Sequence, residues 1–192
     1  TDQNGNVGSA YHFDGDDEST RIVVSENIPL SNQSHTISLK IKPDEGAYFG
    51  GAHMFGHGTP NGNNGLHARF NGDENIQYAF WGNDISFDQP NPGSTDWHQL
   101  VFTFDRSSNL RKLFVDGVLI GENTTAAPYV GNGPLVIGGH VFAYGGQPWH
   151  GKIDDFVIWD VALTEPQVLE ISDVESNFTI DDGMTEFKIV AH

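Results

Sequence analysis

Two acidic groups stand out as residues able to do chemistry. Asp14, Asp16, Asp17 and Glu18 crowd around Gly15, and Asp154 and Asp155 sit side by side in an otherwise apolar run, Gly151–Trp159. A carboxylate placed among bulky apolar residues is costly without a cation or hydrogen-bond donors close by. Ca²⁺ is the natural cation for such a set, since it takes about 6–8 oxygens from carboxylates, carbonyls and water. Asp14, Asp16, Asp17, Asp154 and Asp155 are therefore candidate ligands for a structural Ca²⁺. The Asp14-x-Asp16-x-Glu18 spacing starts like an EF-hand loop, but the sixth position is not Gly and the twelfth is Ser25.

A second oxygen-rich group comprises Asn83, Asp84 and Asp88, with Asp96 and with Asn61, Asn63 and Asn64 from an earlier loop. Such residues can hold a second Ca²⁺ that meets a sugar diol or a carboxylate directly, although Asx residues in Gly/Pro-rich segments are more often turn formers. Candidate ligand-binding residues lie in the segment before Gly151: His140, Tyr144, Gln147 and Trp149. Tyr144 and Trp149 could stack on a sugar or clamp a peptide, whereas Trp81, at a strand end, is expected to pack in the core. His53 and His57 are spaced i, i+4 in a Gly-rich segment, with no third zinc ligand indicated.

The elements that must position these residues are mainly strands. Ile37, Leu39 and Ile41 alternate with Ser38, Lys40 and Lys42, and the run stops at Pro43. Leu66–Phe70 and Ile76–Trp81 read as hairpin arms. The segment 82–96 reads as a long loop, and 46–64 as a loop with a strand near Ala52–Phe55. Asp116-Gly117 between two β runs predicts a type I′ hairpin. In Ile153–Trp159, strict alternation puts Asp154, Phe156 and Ile158 on one face and Ile153, Asp155, Val157 and Trp159 on the other. A helix is predicted after Leu163, with Thr164 as N-cap, Gln167 as its capping-box partner and Leu163 and Val168 as the staple. Phe178–Ile180 and Glu186–Val190 read as a closing hairpin or a linker. Roughly a dozen short strands with one short helix predict an all-β fold, an antiparallel two-sheet sandwich of jelly-roll type, forming one module over residues 1–192.

Bulk properties narrow the function. Nine Lys+Arg against 26 Asp+Glu give a net charge of −17, which excludes nucleic acid or anionic lipid as partners of the general field. There is no Cys, hence no disulfide framework and no thiolate chemistry. No apolar run reaches the ~18 residues of a membrane span. The abrupt Thr1-Asp2-Gln3-Asn4 start reads as that of a module within a longer chain. No nucleophile elbow, zincin helix or phosphate loop is present.

Six segments, in order, resemble the concanavalin A-like, laminin-G-like jelly rolls: Gly8–Gly15, Thr36–Lys42, Trp97–Asp105, Leu113–Gly117, Leu135–Gly138, and Gly151–Trp159 followed by Ala162–Thr164. The resemblance spans about residues 7–172. It implies a β-sandwich, and a calcium site where the early Phe-Asp-Gly turn meets the Ile-Asp-Asp strand. It also implies a non-catalytic module, since the Glu-x-Asp-x-x-Glu strand of hydrolases on this sandwich is absent. With the acidity and the lack of Cys, the chain most resembles ligand-binding modules of bacterial repeats-in-toxin adhesins. The expectation is a monomeric, extracellular, cell-surface module that holds a peptide or glycan at loop-bound Ca²⁺. The alternative is a carbohydrate-binding module on a secreted polysaccharide-degrading enzyme.

Overall fold

The computed structural model of the chain describes residues 1–15, 20–26, 28–47, 51–71, 75–91, 93–140, 148–172 and 186–189. Thirteen strands and one helix appear among them: β1 Tyr11–Asp14, β2 Ile22–Val24, β3 His35–Pro43, β4 His53–Gly58, β5 Gly65–Phe70, β6 Asn75–Ala79, β7 Asp84–Asp88, β8 His98–Asp105, β9 Leu110–Val115, β10 Val118–Thr124, β11 Leu135–Ile137, β12 His150–Trp159, α1 Glu165–Ser172 and β13 Glu186–Ile189. They form two sheets. One runs β1-β12-β3-β8-β9-β10 with β13 also on β12; the other runs β2-β11-β4-β5-β6-β7. Every pairing is antiparallel. This is the expected two-sheet sandwich.

Alternation builds the space between the sheets. Ile37, Leu39 and Ile41 of β3 face Leu66, Ala68 and Phe70 of β5 and Ile76 and Tyr78 of β6 across one buried core. Aromatic rings interlock there: Phe55 lies 5.6 Å from Phe102 and 5.5 Å from Phe156, both edge-on. Two histidines are held inside. His35 Nδ1–H donates to the Gln33 carbonyl at 3.2 Å, which leaves Nε2 to accept from the Tyr78 hydroxyl at 2.8 Å. His57 Nδ1 lies 2.6 Å from the Tyr129 hydroxyl, which itself donates to the His57 carbonyl. Burial pushes both histidines down to about 4.

On the far side of the seven-stranded sheet, Val101, Phe114, Val157 and Trp159 pack under Leu163 and Val168 of the α1 region. The helix start follows the sequence signals. Both the N–H and the hydroxyl of Thr164 donate to Gln167 Oε1 at 2.9 Å, and Leu163 and Val168 are buried together. The Asp116-Gly117 turn has φ of 49° and 78°, as a type I′ hairpin requires.

Two expectations need correction, and a third is met only in part by the described residues. The register of β12 against β3 shifts between Asp154 and Val157, and Asp155 has φ 45°. This bulge inserts one extra residue, so Ile153 joins Phe156 and Ile158 in the main core rather than facing away from them. Segment 82–96 is not simply a loop: Asp84–Asp88 forms β7, with Phe87 buried against the core. Glu186–Ile189 pairs with β12, while Phe178–Ile180 lies outside the described residues.

Candidate functional site

The outer face of the six-stranded sheet is polar and aromatic. The register sets out its rows: Gly56, His67, Ala79 and Asp84 lie side by side across β4 to β7, and His53, Arg69, Gln77 and Ser86 form the adjacent row. Alternation along β5 and β6 explains this layer. Leu66, Ala68 and Phe70 face inward, so His67 and Arg69 face outward, as does Gln77 between Ile76 and Tyr78. Two glycines leave seats on the same face. A Cβ on Gly56 would meet His140 Cδ2 at 3.0 Å, and one on Gly65 would meet Trp81 Cβ at 3.2 Å. The His140 imidazole and the Trp81 indole thus lie directly on the sheet backbone.

The rings form one cluster. His53, His67 and His140 have centroids 4.9–5.4 Å apart, and Trp81 lies 6.0 Å from His67 and 5.8 Å from His140. His53, His67 and Gln77 are buried, whereas Asp84 and Ser86 are exposed and Trp81 keeps 38% of its surface open. Arg69 Nε donates to Gln77 Oε1 at 2.7 Å, and Arg21 Nη1 donates to the His140 carbonyl at 3.2 Å. Burial holds His67 below the ordinary histidine value, with the Asp84 charge opposing. Burial, helped by His67 and Arg69, pushes His140 down to about 3. At neutral pH both rings are uncharged, and each presents one donor and one acceptor.

Trp81 is held in an unfavourable backbone state. Its φ is 55°, in the left-handed region that a bulky residue rarely adopts. A polar clamp fixes it there. The Asn63 N–H donates to the Trp81 carbonyl at 3.1 Å. The Asn83 side-chain amide donates to Asn63 Oδ1, Thr125 Oγ1 and the Ala127 carbonyl. Arg111, from the other sheet and only 1% exposed, donates through Nη1 to the carbonyls of Tyr78 and Asn83 and through Nη2 to Asn123 Oδ1. Its guanidinium carbon also lies 4.9 Å from the centre of the Phe80 ring.

The sequence-derived candidates distribute differently. His140 belongs to the cluster. Trp149 does not: it is fully buried, its ring 5.5 Å from the Phe70 ring, and its backbone N–H donates to the Gly138 carbonyl. The roles expected for the two tryptophans are exchanged, because the open indole is Trp81, lifted at the β6–β7 turn, and the core indole is Trp149. His53 and His57 part company at a register shift between His53 and Phe55, which sends His53 outward and His57 to Tyr129. Tyr144 and Gln147 lie outside the described residues.

Neither calcium group converges among the described residues. Asp14 pairs with His150 and Tyr11 with Ile153, so Asp14 and Asp154 are separated by about four rungs, ~13 Å. Asp155 instead binds Lys40 Nζ at 2.7 Å, and Asp154 accepts the Asp155 N–H. Asp84 and Asp88 sit at opposite ends of β7, and the Asn83 amide belongs to the clamp. No three His, Asp or Glu side chains among the described residues are arranged to hold a metal ion. Asp16 and Asp17 lie outside the described residues.

A family profile, the Concanavalin A-like lectin/glucanases superfamily, matches residues 14–169. The chain belongs to the concanavalin A-like lectin/glucanase superfamily. No curated protein sequence matches it. Solved structures of similar fold include a native heptameric SAP-like pentraxin from Limulus polyphemus, with TM-score 0.72, 16% identity and 97% of each chain covered. Domain 4 of AbnA, an extracellular arabinanase of Geobacillus stearothermophilus solved with arabinotriose, gives TM-score 0.65 and 20% identity over 88% of this chain and 79% of that one. The CBM40 of a Ruminococcus gnavus IT-sialidase, bound to α2,3 sialyllactose, gives 0.60 and 14% over 74% and 84%. At these identities the likeness is one of fold. The residues that sequence reasoning passed over, His67, Arg69 and Gln77, were signalled by the polar parity of the β5–β6 hairpin.

Proposed function

We propose that this superfamily member is a non-catalytic, extracellular glycan-binding module. Its binding face is the outer layer of the six-stranded sheet, with Trp81 as the stacking platform and Arg69, Gln77, Asp84 and Ser86 as its hydrogen-bonding rim. The observation that carries this reading is the braced, strained exposure of Trp81. A left-handed tryptophan costs roughly 1–3 kcal/mol, and such outliers concentrate at ligand clamps. The arabinotriose and sialyllactose bound to two structural neighbours support a sugar as the ligand class. The net charge of −17 and the exposed Asp84 carboxylate favour a neutral glycan over an anionic one.

A second reading keeps the calcium-dependent adhesin module of repeats-in-toxin type, with a peptide or glycan held at the ion. The acidic stretch Asp14–Glu18 and the large negative charge favour it. A glycan and peptide array probed with wild type, with wild type in EDTA and with Trp81→Ala separates the two. The first reading expects glycan binding that survives EDTA and falls about tenfold or more in Trp81→Ala. Binding abolished by EDTA and untouched by Trp81→Ala overturns it in favour of the second.

A further inference from the structure

Segment 59–64 closes on itself beside Trp81. The Asn61 N–H donates to the Thr59 carbonyl, the Asn64 N–H to the Asn61 carbonyl and the Thr59 N–H to the Asn64 carbonyl, each at 2.8 Å. Asn63 works from inside this loop: its N–H holds the Trp81 carbonyl and its Oδ1 takes the Asn83 amide. The loop tip, Asn61-Gly62, is exposed. There the Gly62 N–H donates to Oδ1 of Asn61 at 2.8 Å. The contact sets the Gly62 nitrogen against the side-chain amide of the residue before it. That nitrogen and Asn61 Cγ are the two ends of a five-membered ring that lacks one bond. Reacting atoms already held in such a pose lose little further freedom on bonding, and glycine has no side chain to crowd the closure.

Two other Asn-Gly pairs are tied differently. The Gly5 N–H donates to the Asp2 carbonyl at 3.2 Å rather than to Asn4. The Asn64 side-chain amide donates to the Gly62 carbonyl at 2.8 Å, and Gly65 is buried at the start of β5 with Trp81 over it.

We propose that Asn61 is a self-modifying site, at which spontaneous conversion to aspartate and isoaspartate loosens the clamp on Trp81 as the protein ages. The Gly62 nitrogen gives its proton to hydroxide and bonds to Asn61 Cγ. The Cγ–Nδ2 bond breaks, and Nδ2 leaves as ammonia with a proton taken from water. Water then opens the cyclic imide at either carbonyl, so that the net change consumes one water and releases one ammonia. In the isoaspartyl product the main chain runs through Cβ and Cγ, and the former Asn61 carbonyl becomes a carboxylate. The acceptor of the Asn64 N–H is thereby displaced, and Asn63 with it. The consequence for glycan affinity rests on the reading of Trp81 as the stacking platform.

The test ages wild type and Gly62→Ala in warm, mildly alkaline buffer. A Cβ on Gly62 meets nothing within 4 Å, so the variant keeps the loop while its methyl crowds ring closure. Peptide mapping by mass spectrometry is expected to find aspartate and isoaspartate at Asn61 ahead of Asn4 and Asn64, and to find the conversion about tenfold or more slower in Gly62→Ala. The Trp81 indole NMR signal should move as the isoaspartyl fraction grows, and glycan affinity should fall with it. Conversion at Asn61 no faster than at Asn4 or Asn64, an equal rate in Gly62→Ala, or an unmoved Trp81 signal in converted protein would each overturn the proposal. Fresh protein that binds no glycan would overturn the glycan reading alone, because the peptide map and the indole signal need no sugar.

Discussion

Behind the seven-stranded sheet, Val101, Phe114, Val157 and Trp159 lie under the α1 region. Behind the six-stranded sheet, the corresponding layer holds His53, His67, Arg69 and Gln77, with Trp81 and His140 resting on glycines. One outer face is closed by the chain itself. The other carries polar groups that a closing helix would have to satisfy one by one. Strand period sets both patterns, reset by the bulge at Asp155 on one sheet and by the register shift after His53 on the other. The proposed function assigns the ligand to this second face, finished in hydrogen-bonding side chains and an open indole.

The largest effect that bears on this contrast is acid. His35 and His57 lie inside the sandwich and are pushed from 6.5 down to about 4. Above pH 6.5 neither the folded nor the unfolded chain is charged at these residues, so their contribution is fully present. As pH falls below 6.5 the unfolded chain takes up protons that the folded chain refuses, and stability is lost until pH passes about 4. Each histidine accounts for ~3 kcal/mol across that window. Melting followed by circular dichroism should show Tm dropping steeply between pH 6.5 and 4, and a double His35→Gln, His57→Gln variant should flatten the slope. An unchanged slope would move the acid sensitivity to the outer-face histidines.

The two outer faces should respond oppositely to loss of a tryptophan. Trp159→Ala removes a 6% exposed ring from beneath the helix and is expected to cost ~3–5 kcal/mol, with Tm falling accordingly. Glycan affinity measured well below that Tm should hold. Trp81→Gly removes an open indole and relieves a φ of 55° at the same step. It should leave stability within ~1 kcal/mol of wild type while glycan binding is lost. If Trp81→Gly destabilised the fold as much as Trp159→Ala, the two faces would be alike and Trp81 a packing residue.

The same contrast shows what the sequence made legible. The two-sheet sandwich, the β5–β6 hairpin, the Asp116-Gly117 turn and the Thr164–Gln167 cap rest on local signals within a few residues, and all of them hold. The site did not follow so directly. Period-two alternation predicts outward His67, Arg69 and Gln77 only once β5 and β6 are trusted as strands with one face in the core. Trp149 and Trp81 both stand at loop ends, and what separates them is tertiary: Trp149 meets Phe70, whereas Trp81 is turned out by a clamp built from Asn63, Asn83 and Arg111, far apart in sequence. β7 was obscured because Asp84, Ser86 and Asp88 outnumber Ile85 and Phe87, although the alternation was present. The bulge at Asp155 carries no composition signal, since Asp suits both extended and left-handed backbone.

That bulge yields the smallest expected effect and bears directly on calcium. Asp155 sits at φ 45° with its carboxylate half exposed on Lys40. Replacing it by Gly removes a surface ion pair worth ~0–1 kcal/mol and gains about as much in backbone relief. Tm of Asp155→Gly should therefore stay within a few degrees of wild type. Asp155→Val should fall clearly lower, since a β-branched residue is strained at that φ. Both comparisons should read the same in EDTA and in excess Ca²⁺ if the carboxylate serves the bulge and Lys40. A loss in Asp155→Gly that appears only with Ca²⁺ present would instead make Asp155 a metal ligand, and would place an ion on the closed sheet rather than on the open one.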